Sequence, residues 1–557
     1  MKINLINQTS KIISRNLMVI ADVFVLLVCF SFSYWLMGHT LAYEDNQIIL
    51  ASKLFSDFGA HLPLIRSFSV GENYPVEYPQ FPGEPIRYHY FFYWLVAMVE
   101  KLGFDFAFAV NFWSIIGMTL LLWMIYQYGL LLFGKRKIGF LAVILFLFNG
   151  TFSFVEYFRV TGWTWQAFMS IPSQTTFASF GPWDGKLVSA FWNWNVYTNQ
   201  RHLALSYGLV MLAFWPLLKM VVIGEKKFKK IYYLLVPVVF GVLPLLHQAG
   251  LMILLCFVIG WFWLNRSQQL GRRVKIIYFA SLMLSLVVVL TSTEASQQNL
   301  VWKVGFLAAD GRIWTILRYW FFNLGLYFIF LPLFLFFATK NYRKLLLLAY
   351  FLFVVANCIQ LSPDLINNHK LVSFFIIILN LGMAAFVIQM LRGSFLLKIL
   401  GSLIFMLTIF SGVVDAFSII NDQKYRINDY QRVETANWIM NNTPKNSVFV
   451  TNSYLYTPVT LVGRKQYLDY GYFAWSLGYN DSDRRKKLST IFATYTNKRN
   501  VCEFLEQQGI DYVYLVSGQG EIPSNINLSQ SLLRKTFLPS FVSDSGEVVY
   551  DVKNNCS

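Results

Sequence analysis

Long apolar runs separated by short polar or basic stretches fill the first three quarters of the chain. The runs lie at roughly 17-37, 106-133, 138-156, 203-222, 231-246, 247-264, 274-291, 319-338, 345-361, 371-391 and 396-414. A membrane crossing takes about 20 such residues, so the pattern predicts about eleven spans. One polar interruption is much longer than the rest, His39 to His89, where Asn73-Tyr74-Pro75 and Tyr78-Pro79-Gln80-Phe81-Pro82 alternate breakers with aromatics. Such a segment lies along a membrane surface instead of crossing it. Tyr90 to Val99 is also apolar, and a crossing there would change the parity of the count. From Asp415 the pattern changes. Helical spacing over Tyr430 to Asn442, Asp483 to Thr494 and Asn500 to Gln508 alternates with strand-like Ser447 to Thr451 and Asp511 to Val516, and Phe537 to Val552 reads as a closing hairpin. The chain therefore reads as a polytopic α-helical membrane protein, 1-414, followed by an α/β domain, 415-557.

A content of 56% hydrophobic and 13% charged residues excludes a soluble multidomain protein. The basic residues cluster in short blocks, Lys135-Arg136-Lys137, Lys226-Lys227, Arg272-Arg273 and Lys340 with Arg343-Lys344. Blocks of this kind mark cytoplasmic loops. With the N-terminus inside and an odd number of spans, the 39-89 loop and the C-terminal domain both face the non-cytoplasmic side of a bacterial-type cell membrane. The net charge of +17 then reports topology and anionic membrane lipid, since no nucleic-acid motif accompanies it. The first run lacks a small-residue cleavage site and reads as a retained span. Five scattered cysteines make neither a disulfide scaffold nor a metal site, although Cys502 and Cys556 can pair if their region faces an oxidising compartment.

Candidate chemistry centres on Ser56-Asp57-Phe58-Gly59-Ala60-His61, where a carboxylate and a histidine four apart share one helix face beside a span. The same loop carries Arg66 and His89. Further polar groups come from other outer loops: Trp163, Trp183, Asp184, Gln200-Arg201-His202, His247, Glu294 and Asn368-His369-Lys370. Taken singly these read as solvated loop charges, an interfacial aromatic belt and snorkelling cations. Gathered at one face, the cations form a basic cavity suited to a phosphate group.

Several markers in order, Ser56-Asp57-x-x-x-His61-x-x-x-Ile65-Arg66, Gly71-Glu72-Asn73-Tyr74-Pro75, Tyr88-His89-Tyr90-Phe91, Gln200-Arg201-His202, Pro244-Leu245-Leu246-His247, Asn323-Leu324-Gly325 and Asn368-His369-Lys370, give the chain a family likeness. It resembles the GT-C superfamily of membrane glycosyltransferases, which take sugars from polyprenyl-phosphate carriers. Within it the chain is similar to the branch of protein O-mannosyltransferases and lipid A aminoarabinose transferases. The resemblance implies an acidic catalytic residue in the first outer loop, matched by position to Asp57 with Glu44-Asp45 as the rival. It implies inversion at the anomeric carbon, and a glycan, lipid or protein acceptor. Chemically, a carboxylate must deprotonate the attacking hydroxyl while cations stabilise the departing phosphate. Asp57 suits the base and His61 suits orienting it or holding the acceptor, with Arg66, His89, Gln200, Arg201, His202, His247, Asn368 and Lys370 on the substrates. The loop has no Asp-x-Asp pair, the signature of the metal-dependent oligosaccharyltransferase relatives, and no metal or cofactor is assigned. The competing classes are a transporter or flippase of an anionic amphiphile, and a polysaccharide polymerase or ligase.

Overall fold

The computed structural model describes residues 2–179, 190–225, 228–267, 270–292, 301–494, 497–516 and 530–557. Trp183, Asp184, Lys226, Lys227 and Glu294 lie outside them. Among the described residues, six helices are long and apolar enough to cross a membrane: Asn16–Thr40, Phe106–Phe133, Arg201–Ile223, Arg272–Thr291, Leu365–Met390 and Phe395–Ile420. A seventh is reached if Ile313–Leu324 and Leu326–Leu335, bent by 95°, count as one span. The other apolar runs behave differently from the expected eleven spans, for local reasons. The 138-156 run is helical only over Arg136–Leu147 and again over Ser153–Thr161. Its break meets the bend of the seventh span, where a Cβ on Gly325 would lie 2.0 Å from the Gly150 carbonyl oxygen. The pair 231-246 and 247-264 folds as Tyr232–Leu246 and Gln248–Leu264, of 15 and 17 residues, hinged at His247. Lys340–Cys358 has 19 residues but starts with Lys340, Arg343 and Lys344, which lower its apolarity. Tyr90 to Val99 becomes Phe91–Lys101, whose 11 residues are too short to cross.

The two polar regions meet at one end of the helices. Leu41–Glu44 and Gln47–Ala51 form a hairpin, and Lys424–Asn428 adds antiparallel to its second strand, pairing Ile48 with Ile427 and Leu50 with Tyr425. The last long helix runs through Asp415 to Ile420, so the structural break falls a few residues after the change in composition. Beyond it lies a five-stranded sheet in the order Lys465–Gln466, Val448–Thr451, Tyr512–Leu515, Val548–Asp551, Phe541–Val542. Val448–Thr451 runs parallel to both neighbours, and the remaining pairs are antiparallel. Ala436 and Ile439 of the helix Glu434–Asn442 pack with Phe449, Tyr514 and Val549 in its core. A Cys502–Cys556 disulfide ties the helix Lys498–Gln507 to the last helix, Val552–Cys556.

Candidate active site

Asp57 sits in the first turn of the helix Phe55–Ser69, where the aligned peptide dipoles favour a carboxylate. That helix is gripped from the C-terminal region. The side chain of Leu455 packs where a Cβ on Gly59 would stand, 2.5 Å from Leu455 Cδ2, and Tyr456 Oη donates to the Phe55 carbonyl at 2.6 Å. Both gripping residues are left-handed, with φ of 53° and 49°, a strained backbone for large side chains. The Leu455 N–H is held by Asp469 at 3.3 Å. Asp469 also accepts from Gln80 of the first loop, and burial pushes its carboxyl up to about 6 against those hydrogen bonds.

Between the helices and this region lies a cavity of about 770 Å³. Its wall takes Asp57 and His61 from the first loop, His89 from the turn before Phe91–Lys101, and Asn199 and Gln200 from the start of the Arg201–Val222 helix. His247 comes from its hinge, Asp364, His369 and Lys370 from the start of the 369–390 helix, and Tyr470, Tyr472 and Phe473 from the C-terminal region. Asp57 makes no ion pair among the described residues, but the Lys370 ammonium acts on it through space. Burial prevails over that attraction and pushes the carboxyl up to about 6. Burial and the Arg201 charge push His61 down to about 3, so it is neutral at pH 7. Burial and the neighbouring His247 likewise hold His89 well below the usual imidazole range. The Lys370 ammonium donates to Asn367 Oδ1 at 3.1 Å, and Tyr472 Oη donates to Asp364 at 2.6 Å, tying the C-terminal region to the far wall.

Six of the ten residues expected at the site therefore share one cavity: Asp57, His61, His89, Gln200, His247 and Lys370. The other four have their polar groups engaged elsewhere. Arg66 is 2% exposed, with one guanidinium nitrogen 2.7 Å from Asp429 and 3.3 Å from Glu100. Arg201 donates to Asn111 Oδ1 at 2.5 Å, Thr40 Oγ1 at 2.9 Å and the Thr198 carbonyl at 3.1 Å, which joins three helix ends behind the wall. His202 pairs with His89, Nε2 to Nε2 at 3.0 Å, and through Nδ1 with Tyr93 Oη at 3.3 Å. Asn368 donates to the Ala356 and Ile359 carbonyls and accepts from the Leu361 N–H, fastening the loop before its helix. The rival Asp45 sits at the exposed hairpin turn, φ 49°, away from the cavity. Among the described residues no three His, Cys, Asp or Glu side chains are placed to share a metal ion.

No family model matches the chain, and no curated protein sequence matches it. Among solved structures, the crystal structure of ArnT from Cupriavidus metallidurans in the apo state aligns with a TM-score of 0.47 at 12% identity, over 97% of this chain and 98% of that one. At that level of similarity the functional reading rests on the cavity itself.

Four further cavity groups, His369, Asp364, Asn199 and Tyr472, are not among the ten residues expected at the site, although the first three lie in the outer-face polar stretches of the sequence. His369 stands between two residues that the sequence reading selects. The signal available was its place at the start of a long apolar run, where a polar side chain is costly without a task.

Proposed function

We propose that the chain is an inverting glycosyltransferase that moves a sugar from a polyprenyl-phosphate carrier to an acceptor on the non-cytoplasmic side of a membrane. The observation that carries this reading is a cavity in which the Asp57 carboxylate, with no ion-pair partner among the described residues, shares the wall with Lys370, at the meeting of apolar helices and a polar region. An acceptor hydroxyl entering beside Asp57 gives its proton to the carboxylate as its oxygen bonds to the anomeric carbon. The bond from that carbon to the phosphate oxygen breaks, and the electron pair leaves with the phosphate. The Lys370 ammonium and the neutral His247, as an N–H donor, hold the added negative charge, and such preorganised groups supply several kcal/mol of barrier reduction. A carboxyl near 6 fits the base, because it is ionised at neutral pH yet basic enough to take a proton. His61, one helical turn on and neutral, packs against Tyr93 with ring centroids 5.0 Å apart.

Sugar transfer from polyprenyl-phosphate monosaccharides, measured in purified protein and in its Asp57→Asn variant, tests this. Turnover is expected to fall about 10²- to 10⁴-fold in the variant while donor binding persists. Lipid movement across vesicles without any transfer would replace the enzyme reading with a transporter.

A further inference from the structure

Two histidines that line the cavity carry opposite chemistry at their unpartnered ring nitrogens, and backbone contacts fix which is which. Both are 1% exposed, and in each Nε2 has no hydrogen-bond partner among the described residues. The Nδ1 of His247 accepts from the Gly250 N–H at 3.2 Å, capping the helix Gln248–Leu264, and lies 2.9 Å from Ser206 Oγ. An accepting nitrogen carries no proton, so the one proton of a neutral ring is on Nε2, and His247 offers a donor. At His369 the arrangement is reversed. Its Nδ1 lies 2.7 Å from the Ile366 carbonyl oxygen, which only accepts, so Nδ1 carries the proton and Nε2 is a bare lone pair. The ring is fixed in this pose by stacking on Phe191, with centroids 5.6 Å apart and planes 23° apart.

The geometry points to His369 as a hydroxyl-selecting residue for the sugar of the donor. This assignment rests on the glycosyl-donor reading above. A phosphate oxygen fits Lys370 and the N–H of His247, but it would set lone pair against lone pair at His369. The group that belongs there carries a hydrogen to donate. His369 and Lys370 both line the cavity, so the matching ligand presents a hydroxyl to one and an anion to the other, as a phosphate-linked sugar does. A buried acceptor left without its hydrogen costs binding, so the residue rejects analogues that lack the hydroxyl.

Binding of bare decaprenyl phosphate and of decaprenyl-phosphate monosaccharides, including deoxy analogues, is measured on wild type, His369→Phe, His369→Gln and His247→Phe. Phenylalanine keeps the stack on Phe191 without an acceptor, and glutamine restores an acceptor near the Nε2 position. His369→Phe is expected to weaken the sugar-bearing lipid by about tenfold or more and leave the bare lipid unchanged. His369→Gln recovers part of the loss, one deoxy sugar binds wild type as weakly as the variant binds the full sugar, and His247→Phe weakens both lipids. Equal weakening of both lipids by His369→Phe, or of neither, overturns the role of His369 and leaves the donor reading standing. A wild type that binds neither lipid overturns the donor reading, and the hydroxyl assignment falls with it.

Discussion

Asp57 and Asp45 look alike in the sequence, both acidic and both near the first span, and the difference between them is made by distant residues. Asp45 occupies a left-handed hairpin turn in solvent, whereas Asp57 is enclosed by Lys370 and by Tyr470 and Tyr472, some hundreds of positions away. Spacing alone exposed the Asp57 and His61 pair, because it needs only one helix. It does not reveal the setting of Arg66 and Arg201, because a cation's partner is a long-range fact: Asp429 for one, Asn111 and Thr40 for the other. The enclosure of Asp57 has two measurable effects. Only the ionised carboxyl accepts a proton, so kcat/KM is expected to fall about tenfold per pH unit as pH drops below about 6. The folded carboxyl also binds its proton more tightly than the usual 3.8, so its contribution to stability is full below that value and is lost as pH rises through about 6. Asp57→Asn is therefore expected to gain more in Tm at pH 7.5 than at pH 4; a gain independent of pH would show that the carboxyl is not held in this way.

The helix Phe55–Ser69 is fixed at both ends by the C-terminal region. Leu455 and Tyr456 hold its start. At its far end Gly463, at φ 70°, lies so close that a Cβ would stand 2.2 Å from the Arg66 carbonyl oxygen. Backbone lies against backbone there, and no side chain can swing aside. Gly463→Ala is expected to displace the helix end, lowering Tm and lowering kcat more than donor affinity. Arg66 supplies the charged part of the same joint, linking this helix to Glu100 and Asp429. Arg66→Met leaves two carboxylates buried without their cation, a change that typically costs roughly 3–5 kcal/mol. Denaturant unfolding reads it, and a loss below about 1 kcal/mol would mean that the pairing is dispensable. The elements themselves were legible where periodicity was strong: Asp483 to Thr494 reads as a helix, and Asp481–Thr494 is one. Periodicity passes over the break in the 138-156 run, although Asn149-Gly150-Thr151 marks it in the sequence, and Gly150 there packs against Tyr327 and Gly325.

Across the whole molecule, the hydrogen-bonded pairing of Gln47–Ala51 with Lys424–Asn428 puts the first polar loop and the C-terminal region on one side. No sequence period reveals such a pairing, since its partners are separated by nearly the whole set of apolar helices. Single cysteines placed at the exposed Glu72 and Ser545 are accordingly expected to react with an impermeant reagent from the same, non-cytoplasmic side. Reaction from opposite sides would break the pairing, and reaction of both from the cytoplasm would reverse the orientation. The pairing also sets an order of events during synthesis. The hairpin that precedes Asp57 emerges early, while the strand that completes its sheet, the residues that grip its helix and the tyrosines that wall its cavity are made only after the last long helix. A nascent chain paused before residue 420 thus holds its apolar helices and the Asp57 carboxylate but no chamber, and the cavity is closed only once the residues beyond 420 are made.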